Sequence, residues 1–306
     1  MQQPSGKRLV IFGCGYVGGA VARRALAQGW RVTALTRNPE KAARLRDLGC
    51  DAVVAELADH DWHGRIHGPV DYVLNAVSGG GNGIEGYRRS YLEGQQSVLA
   101  WARGTSVGTY VYTSSTSVYP QQDGEVVTET DATDGGSEMA HILLEAEGLL
   151  QPAPWGVHRA FVLRLAGIYG PGRHYLLNRL REGHREFPGS GAFYLNLAHL
   201  DDIVSAIFQC FGASAAVKGG VYNVADGQAV TKEAIVLWLA ERLGIEGVRF
   251  NPELTDPRQA RRRQMGRTTR PHRRVSAEKF RRELGWRPQY SDFRAGYEAI
   301  FRAEKA

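Results

Sequence analysis

A glycine-rich turn near the amino terminus is the first stretch whose residue types and spacing could do chemistry. Gly13-Cys14-Gly15-Tyr16-Val17-Gly18 fits the pattern G-x-G-x-x-G, follows a short apolar run and opens a segment with helical spacing. In such a unit the first glycine allows the tight turn, the second lets a pyrophosphate approach the backbone, and the third allows the helix to pack against the strand. The helix N-terminus then offers N–H groups to phosphate. The pattern predicts that a dinucleotide contacts Gly13, Gly15, Tyr16, Val17 and Gly18, the alternative being a plain β–α turn.

The end of the second predicted strand bears on the choice between two dinucleotides. The chain reads Thr36-Arg37-Asn38 there, without the Asp or Glu that bonds the ribose hydroxyls at an NAD site. A guanidinium can instead pair with a 2′-phosphate. Arg37 therefore favours NADP(H) over NAD(H), although a solvated charge preceding a helix is the alternative interpretation.

The elements that must position these residues alternate regularly through the first half of the chain. Strand-like apolar runs and helical patterns follow one another up to Gly170, and after it the rhythm changes to shorter elements. Repeated β–α alternation predicts an α/β fold, a doubly wound parallel sheet of the Rossmann type with helices on both faces. The predicted organisation is a dinucleotide-binding domain over 1–170 and a smaller C-terminal substrate lobe over 171–306.

Composition excludes several classes of protein. The 306 residues are 43% hydrophobic and 23% charged, values typical of a folded globular protein. The three cysteines are widely spaced, so neither a disulfide framework nor a metal site is predicted, and a cytoplasmic location is expected. No apolar run is long enough for a membrane span, so no membrane partner is expected.

An arginine-rich segment carries much of the net charge of +6. Such a cluster could bind the phosphate of a substrate or nucleic acid. Nucleic acid is the weaker interpretation, because no aromatic residues are interleaved for base stacking. A solvated loop is the third alternative. The arginines of this segment are Arg258, Arg261, Arg262, Arg263, Arg267, Arg270, Arg273 and Arg274.

Beyond the glycine turn, several stretches resemble the extended short-chain dehydrogenases/reductases, the NAD-dependent epimerase/dehydratase family. Thr113 to Tyr119 resembles that family's serine-rich end of the fifth strand, and Arg164 to Arg173 resembles the segment after its sixth strand. His199 to Ile203, Val221 to Val224 and Lys279 to Gly296 resemble later motifs of the family. The resemblance covers essentially the whole chain.

The resemblance implies roles for residues that spacing alone does not assign. Glu56 and Leu57 would contact the adenine, Ala76 would lie where the fourth strand passes the cofactor, and Ser115 would hydrogen-bond the reacting oxygen of a small substrate. A capping hydroxyl in a serine-rich turn is the alternative for Ser115. The resemblance also implies a homodimer through helices flanking the sheet. The substrate would be anionic, phosphorylated or nucleotide-linked, because the arginine-rich segment borders the family's substrate cleft.

The sequence departs from the family where proton transfer is expected. The family places Tyr and Lys four residues apart on the helix after the fifth strand, but Met139 and Leu143 stand at those positions here. Shifting the register by two residues brings Ser137, His141 and Glu145 onto one helical face, where His141 could serve as general acid or base. Tyr91 and Tyr119 are further candidate phenols. Packing or solvent exposure is the alternative for each of these residues.

Two functions from different classes follow from these observations. The first is an NAD(P)-dependent oxidoreductase acting on a carbonyl or secondary alcohol, with Ser115 and His141 as candidate catalytic residues. The second is a non-catalytic NADP(H)-binding sensor or scaffold, which the missing Tyr and Lys favour. The fold alone does not decide between them.

Overall fold

Seven strands form the central sheet of the computed structural model, which describes residues 6–79, 83–254 and 271–305. Their bounds are β1 Arg8–Phe12, β2 Arg31–Thr36, β3 Asp51–Val54, β4 Val70–Asn75, β5 Val107–Ser115, β7 Val157–Leu165 and β12 Gly219–Val224. They lie in the spatial order β12-β7-β5-β4-β1-β2-β3. The predicted α/β doubly wound fold is confirmed, with the predicted order of strands and helices through the first half of the chain.

Strand pairing brings the carboxyl ends of five strands to one edge of this sheet. β1 pairs in parallel with β2 and with β4, β2 pairs with β3, and β4 pairs with β5. The registers place Phe12 beside Leu35 and Asn75, and Asn75 beside Tyr112. Because these strands are parallel, their carboxyl ends lie along the same edge, where ligands bind in open α/β sheets.

The helices alternate with these strands and add the later elements. Their bounds are α1 Tyr16–Ala27, α2 Pro39–Asp47, α3 Gly83–Arg88, α4 Gly94–Arg103, α5 Glu138–Gly148, α6 Tyr175–Arg181, α7 Leu200–Phe211, α8 Lys232–Leu243, α9 Glu278–Leu284 and α10 Phe293–Ala303. The short strands are β6 Val126–Val127, β8 Gly167–Tyr169, β9 Glu186–Pro188, β10 Tyr194–Leu195, β11 Leu197–His199, β13 Val230–Thr231, β14 Arg249–Asn251 and β15 Arg274–Val275. They form four two-stranded pairs.

The helix predicted before β5 is interrupted in the structure. The spacing predicts a single helix over residues 84–103, but a π-helical turn at Arg89–Glu93 separates α3 from α4. Such turns shift the register of a helix and occur frequently at functional sites. Counting apolar positions at i, i+3 and i+4 does not indicate them, because one inserted residue shifts the apolar pattern by only a single position.

The chain packs as two compact units, each assembled from separate segments. Unit 1 contains residues 1–115, 138–164 and 204–222, and unit 2 contains 116–137, 165–203 and 223–306. The predicted domain boundary at residue 170 remains a prediction from the sequence. The core of unit 1 includes the buried strand β1, and that of unit 2 includes Leu177, Phe187, Leu239 and Phe293.

Two classes of feature are missing from the part of the chain that the structure describes. None of its helices is both long and apolar enough to cross a membrane. Within the same residues, no group of three or more His, Cys, Asp or Glu side chains could hold a metal ion.

Candidate functional site

The predicted site residues of unit 1 lie at the carboxyl ends of five neighbouring parallel strands. Gly13 follows β1, Arg37 follows β2, Glu56 comes two residues after β3, Ala76 follows β4, and Ser115 ends β5. Backbone hydrogen bonds hold these ends together: Ala76 N–H donates to Phe12 O over 2.8 Å, and Ala55 N–H donates to Thr36 O over 3.2 Å. The topology therefore brings residues from five separate segments to one sheet edge.

The glycine turn shows a different surrounding for each glycine. Gly13 has φ of +85°, and a Cβ atom there would lie 2.5 Å from Val77 N. A Cβ at Gly18 would lie 2.5 Å from Gly13 O, whereas one at Gly15 would meet no atom of the described residues within 4 Å. Gly13 and Gly18 are thus required by backbone packing within the protein. Gly15 is exposed, and the space beside it is open to a ligand.

The residues between the glycines complete the turn. Tyr16 is the half-buried first residue of α1, and Val17 is buried behind it. The Cys14 side chain is buried, and burial raises the pKa of its thiol to about 12. Because the thiolate is the reactive form of cysteine, Cys14 is suited to packing rather than to nucleophilic chemistry.

Arg37 lies beside Glu56 at the ends of β2 and β3. Its Nη1 atom is 3.8 Å from Glu56 Oε2, and the Arg37 side chain is more than half exposed. An exposed ion pair at this distance contributes little to stability. Arg37 thus presents a positive charge at the end of β2.

Leu57 and Ala76 line the same edge without polar side chains. Leu57 is buried, its Cδ2 atom lies 3.0 Å from where a Gly94 Cβ would stand, and its carbonyl accepts from Trp62 Nε1 over 3.1 Å. Ala76 is half-buried. An apolar, fixed surface of this kind fits the flat face of a heterocyclic ring.

A buried ion pair beneath the end of β5 was not recognised from the sequence. Arg164 on β7 donates from Nη2 to Glu147 Oε2 on α5 over 2.7 Å, and from Nε to both carboxylate oxygens. Ser114 Oγ donates to Glu147 Oε1 over 2.5 Å. All three side chains are buried. A glutamate in the apolar helix and an arginine in the apolar run FVLRL were the available signals, because buried charges are paired.

This ion pair holds the strand residue next to Ser115. Ser115 is half-buried at the last position of β5, directly after Ser114. Glu147 comes from α5 and Arg164 from β7, so two further elements hold the Ser114 side chain near the end of β5. Ser115 therefore directly follows a residue whose side chain is anchored to a buried ion pair.

Helix α5 buries the two positions at which the resemblance places the family's Tyr and Lys. Met139 and Leu143 are both buried, whereas His141 between them is exposed. Glu145, one turn further on, lies 3.5 Å from Arg88 Nη1 of α3. Neither buried side chain carries a titratable group, and the imidazole of His141 is on the solvent-exposed face of the helix.

The two alternative phenols have different surroundings. Tyr91 lies half-buried in the π-helical turn, with its ring centroid 4.4 Å from that of Tyr87. Tyr119 is buried in unit 2 and donates from Oη to Asn223 Oδ1 over 2.8 Å. That hydrogen bond gives Tyr119 a structural role.

The arginine-rich segment is only partly described. Its first six arginines, from Arg258 to Arg270, lie outside the described residues. Arg273 is buried and donates from Nη2 to Thr116 O over 2.7 Å, and Arg274 donates from Nε to Gly124 O over 2.8 Å. Both side chains are therefore engaged by backbone carbonyls within unit 2.

Comparison with known proteins finds relatives that match most of the chain. The chain is 27% identical over 259 residues to Protein YeeZ of Escherichia coli strain K12, covering 81% of this chain and 88% of that protein. It is 26% identical over 254 residues to the 2-alkyl-3-oxoalkanoate reductase of Stenotrophomonas maltophilia, covering 78% and 76%. Its fold matches the structure of MoeE5 in complex with UDP-glucose and NAD with a TM-score of 0.78 and 20% identity, covering 98% and 100%.

The model of one family extends over most of the chain. Residues 9–225 match the NAD dependent epimerase/dehydratase family, a span that begins in β1 and includes the glycine turn, Ser115 and the Glu147–Arg164 pair. The protein therefore belongs to the NAD dependent epimerase/dehydratase family.

Proposed function

We propose that unit 1 binds a pyridine dinucleotide at the carboxyl edge of its sheet, with the pyrophosphate against Gly15. The observation that carries this proposal is the contrast within the glycine turn. Gly13 and Gly18 are glycines because protein backbone fills the space of a side chain, but none of the residues that the structure describes fills that space at Gly15. A glycine kept small beside open space, at the start of a helix, is what a bound phosphate needs.

The proposed reaction is oxidation or reduction of a carbonyl or secondary alcohol. When bound, the nicotinamide would supply or accept the hydride. Ser115 would donate a hydrogen bond to the reacting oxygen of the substrate, and the Glu147–Arg164 pair would hold its backbone through Ser114. The remaining step is proton transfer, for which exposed His141 and half-buried Tyr91 are the candidate side chains on α5 and the π-helical turn.

The proposed substrate is a small anionic or nucleotide-linked molecule. One relative is named as a reductase of 2-alkyl-3-oxoalkanoates, which are carbonyl compounds with a carboxylate, and MoeE5 holds a nucleotide sugar. Both names are compatible with a negatively charged substrate carrying a carbonyl or hydroxyl group. The proposal further includes a homodimer and a cytoplasmic location, and it includes neither nucleic acid nor a membrane as partner.

The first test separates binding of the dinucleotide from folding. We expect Gly15→Asp to raise the Kd for NADPH on the order of 100-fold, or about 2.7 kcal/mol, because its carboxylate would occupy the position of the pyrophosphate. The melting temperature should change little, since a Cβ there lies more than 4 Å from every atom in the described part of the chain. Calorimetric titration and a thermal melt measure the two effects.

A matched control carries the same substitution elsewhere. Gly148→Asp adds the same charge at an exposed position of α5 with nothing within 4 Å of its Cβ, so NADPH affinity should stay unchanged. Equal NADPH affinity in Gly15→Asp and the native protein would contradict the proposed site. If Gly15→Asp melts early, Gly15→Ala provides the smaller change for the same titration.

The proposed preference for NADP(H) rests on Arg37. We expect Arg37→Asp to weaken NADPH binding at least tenfold, or about 1.4 kcal/mol, while NADH binding stays equal or tightens, because the carboxylate repels a 2′-phosphate and accepts from ribose hydroxyls. Arg44→Asp changes the net charge identically from an exposed position on α2 and serves as the control. A native protein that binds NADH more tightly than NADPH would refute the preference while leaving the dinucleotide site intact.

A second candidate function is supported by α5 alone. Because Met139 and Leu143 are buried and non-titratable, the helix does not carry the proton-transfer pair of the family at the positions assigned by resemblance. The protein would then act as an NADP(H)-binding sensor or scaffold. Turnover of NADPH with carbonyl compounds by the native protein supports the enzyme, whereas tight binding without turnover supports the sensor.

A further inference from the structure

Unit 1 carries a groove at the opposite end of its sheet from the glycine turn. The groove has a volume of about 450 Å³. Two short stretches of the chain, residues 103–106 and 155–158, line it. These residues precede or begin β5 and β7, whereas Ser115 ends β5. Nine strand residues separate the two ends by about 26 Å, so the groove is a separate site from the proposed dinucleotide site.

The backbone that forms the groove is fixed by tight packing. Gly156 has φ of +88°, and a Cβ there would collide with Ala102 O at the end of α4. Val107 N–H donates to Gly156 O over 2.9 Å, and Val157 N–H donates to Pro154 O over 3.0 Å. The groove is therefore preformed, which lowers the entropic cost of binding a ligand there.

Trp155 extends from this anchored loop into the groove. Its side chain is 83% exposed, although indole is among the largest apolar groups a protein carries. The neighbouring polar groups are well placed for a polar ligand: Ser106 Oγ and His158 Nε2 are 3.2 Å apart at the groove wall. A flat aromatic ring can stack on the indole while its polar substituent reaches the wall.

The charge of the groove selects the sign of the ligand. Arg103 is exposed and positively charged, and no carboxylate is present among the eight residues that line the groove. A guanidinium binds a carboxylate through paired hydrogen bonds, and the Ser106 hydroxyl and the His158 imidazole are further polar groups of the same lining. We propose that this groove is a second binding site, for a small planar aromatic carboxylate that stacks on Trp155 and pairs with Arg103.

The test uses 2-naphthoate as the probe, titrated calorimetrically into the full chain saturated with NADPH. Saturable binding on the order of 1 mM or tighter is expected, with 2-naphthamide at least threefold weaker because it carries no charge. Trp155→Ala should weaken naphthoate binding at least tenfold. Arg103→Gln should remove the preference for naphthoate over naphthamide.

The controls show whether the effects are specific to the groove. Leu48→Ala removes another exposed apolar side chain of the same unit and should leave naphthoate affinity unchanged. Trp155 and Arg103 are both exposed, so their variants should melt as the native protein does. The proposal is refuted if naphthoate does not saturate, if Trp155→Ala binds it equally well, or if Arg103→Gln keeps the full preference for naphthoate over naphthamide.

Discussion

Replacing Glu147 with alanine is expected to lower the free energy of unfolding by about 3–5 kcal/mol, because it leaves the guanidinium of Arg164 buried without its carboxylate. Glu147 and Arg164 are only 4% and 5% exposed, and three hydrogen bonds join them. Ser114 also loses its acceptor. Urea unfolding followed by circular dichroism measures the change.

Glu145→Ala is the matched control for this prediction. Glu145 lies on the same helix and also faces an arginine, but its pair with Arg88 spans 3.5 Å and both side chains are exposed to solvent. Pairs of that kind contribute about 0–1 kcal/mol. Losses of similar size in the two variants would contradict the buried ion pair.

A double replacement separates the charge from the volume. Glu147→Leu combined with Arg164→Met removes both charges and keeps apolar bulk, so it should cost much less than Glu147→Ala. If the double variant retains stability but loses substrate turnover, the pair acts in positioning Ser115 as well as in folding.

Asp226→Asn is expected to stabilise the protein at alkaline pH and to have little effect near pH 4. The Asp226 side chain is buried after β12, and Oδ2 has no hydrogen-bond partner. Burial raises its pKa from 3.8 to about 8, with Asp292 and Asp202 adding to the rise and the Gln228 N–H opposing it. The phenol of Tyr169 lies within electrostatic reach, and the Asp226 charge raises its pKa in turn.

The direction follows from comparing the folded and unfolded chains. Below pH 3.8 the carboxyl is protonated in both, so it contributes no pH-dependent difference. Between pH 3.8 and about 8 only the unfolded chain releases the proton, and stability falls as pH rises. Above about pH 8 the full cost is present, which corresponds to about 6 kcal/mol at roughly 1.4 kcal/mol per pKa unit.

Asparagine has the same shape and no charge, so the variant should gain about 2–5 kcal/mol over the native protein at about pH 9. Thermal and urea unfolding between about pH 4 and pH 9 measure the gain. Asp134→Asn, at an exposed position of the same unit, should show no pH-dependent gain. A gain that is equal at all pH values would contradict ionisation of Asp226 as the cause.

Asp202 is also buried, but both of its carboxylate oxygens accept hydrogen bonds. Burial raises its pKa to about 6, but its two oxygens accept from the backbone N–H groups of Gln289 and Tyr290. An asparagine at Asp202 would lose one of these acceptors. The same substitution is therefore expected to be less favourable there, because hydrogen bonds stabilise the ionised carboxylate.

Local patterns in the sequence were sufficient to predict the glycine turn and the order of strands and helices. The G-x-G-x-x-G pattern after an apolar run identifies the turn at Gly13, and the alternation of apolar runs with helical patterns predicts the order of elements up to Gly170. These features depend on neighbours within a few residues, so the sequence contains their cause directly. The π-helical turn at Arg89–Glu93 was missed because one inserted residue shifts the apolar pattern by only a single position.

The composition and motifs by themselves determined the α/β class, the family resemblance and the unusual residues on α5. Only the tertiary structure showed that Glu147 meets Arg164, that Asp226 is buried near Asp202 and Asp292, and that the Trp155 indole remains exposed. Such partners are separated by 17 or more residues along the chain. Their effect depends on burial and distance, which are set when the elements pack and cannot be inferred from adjacent residues.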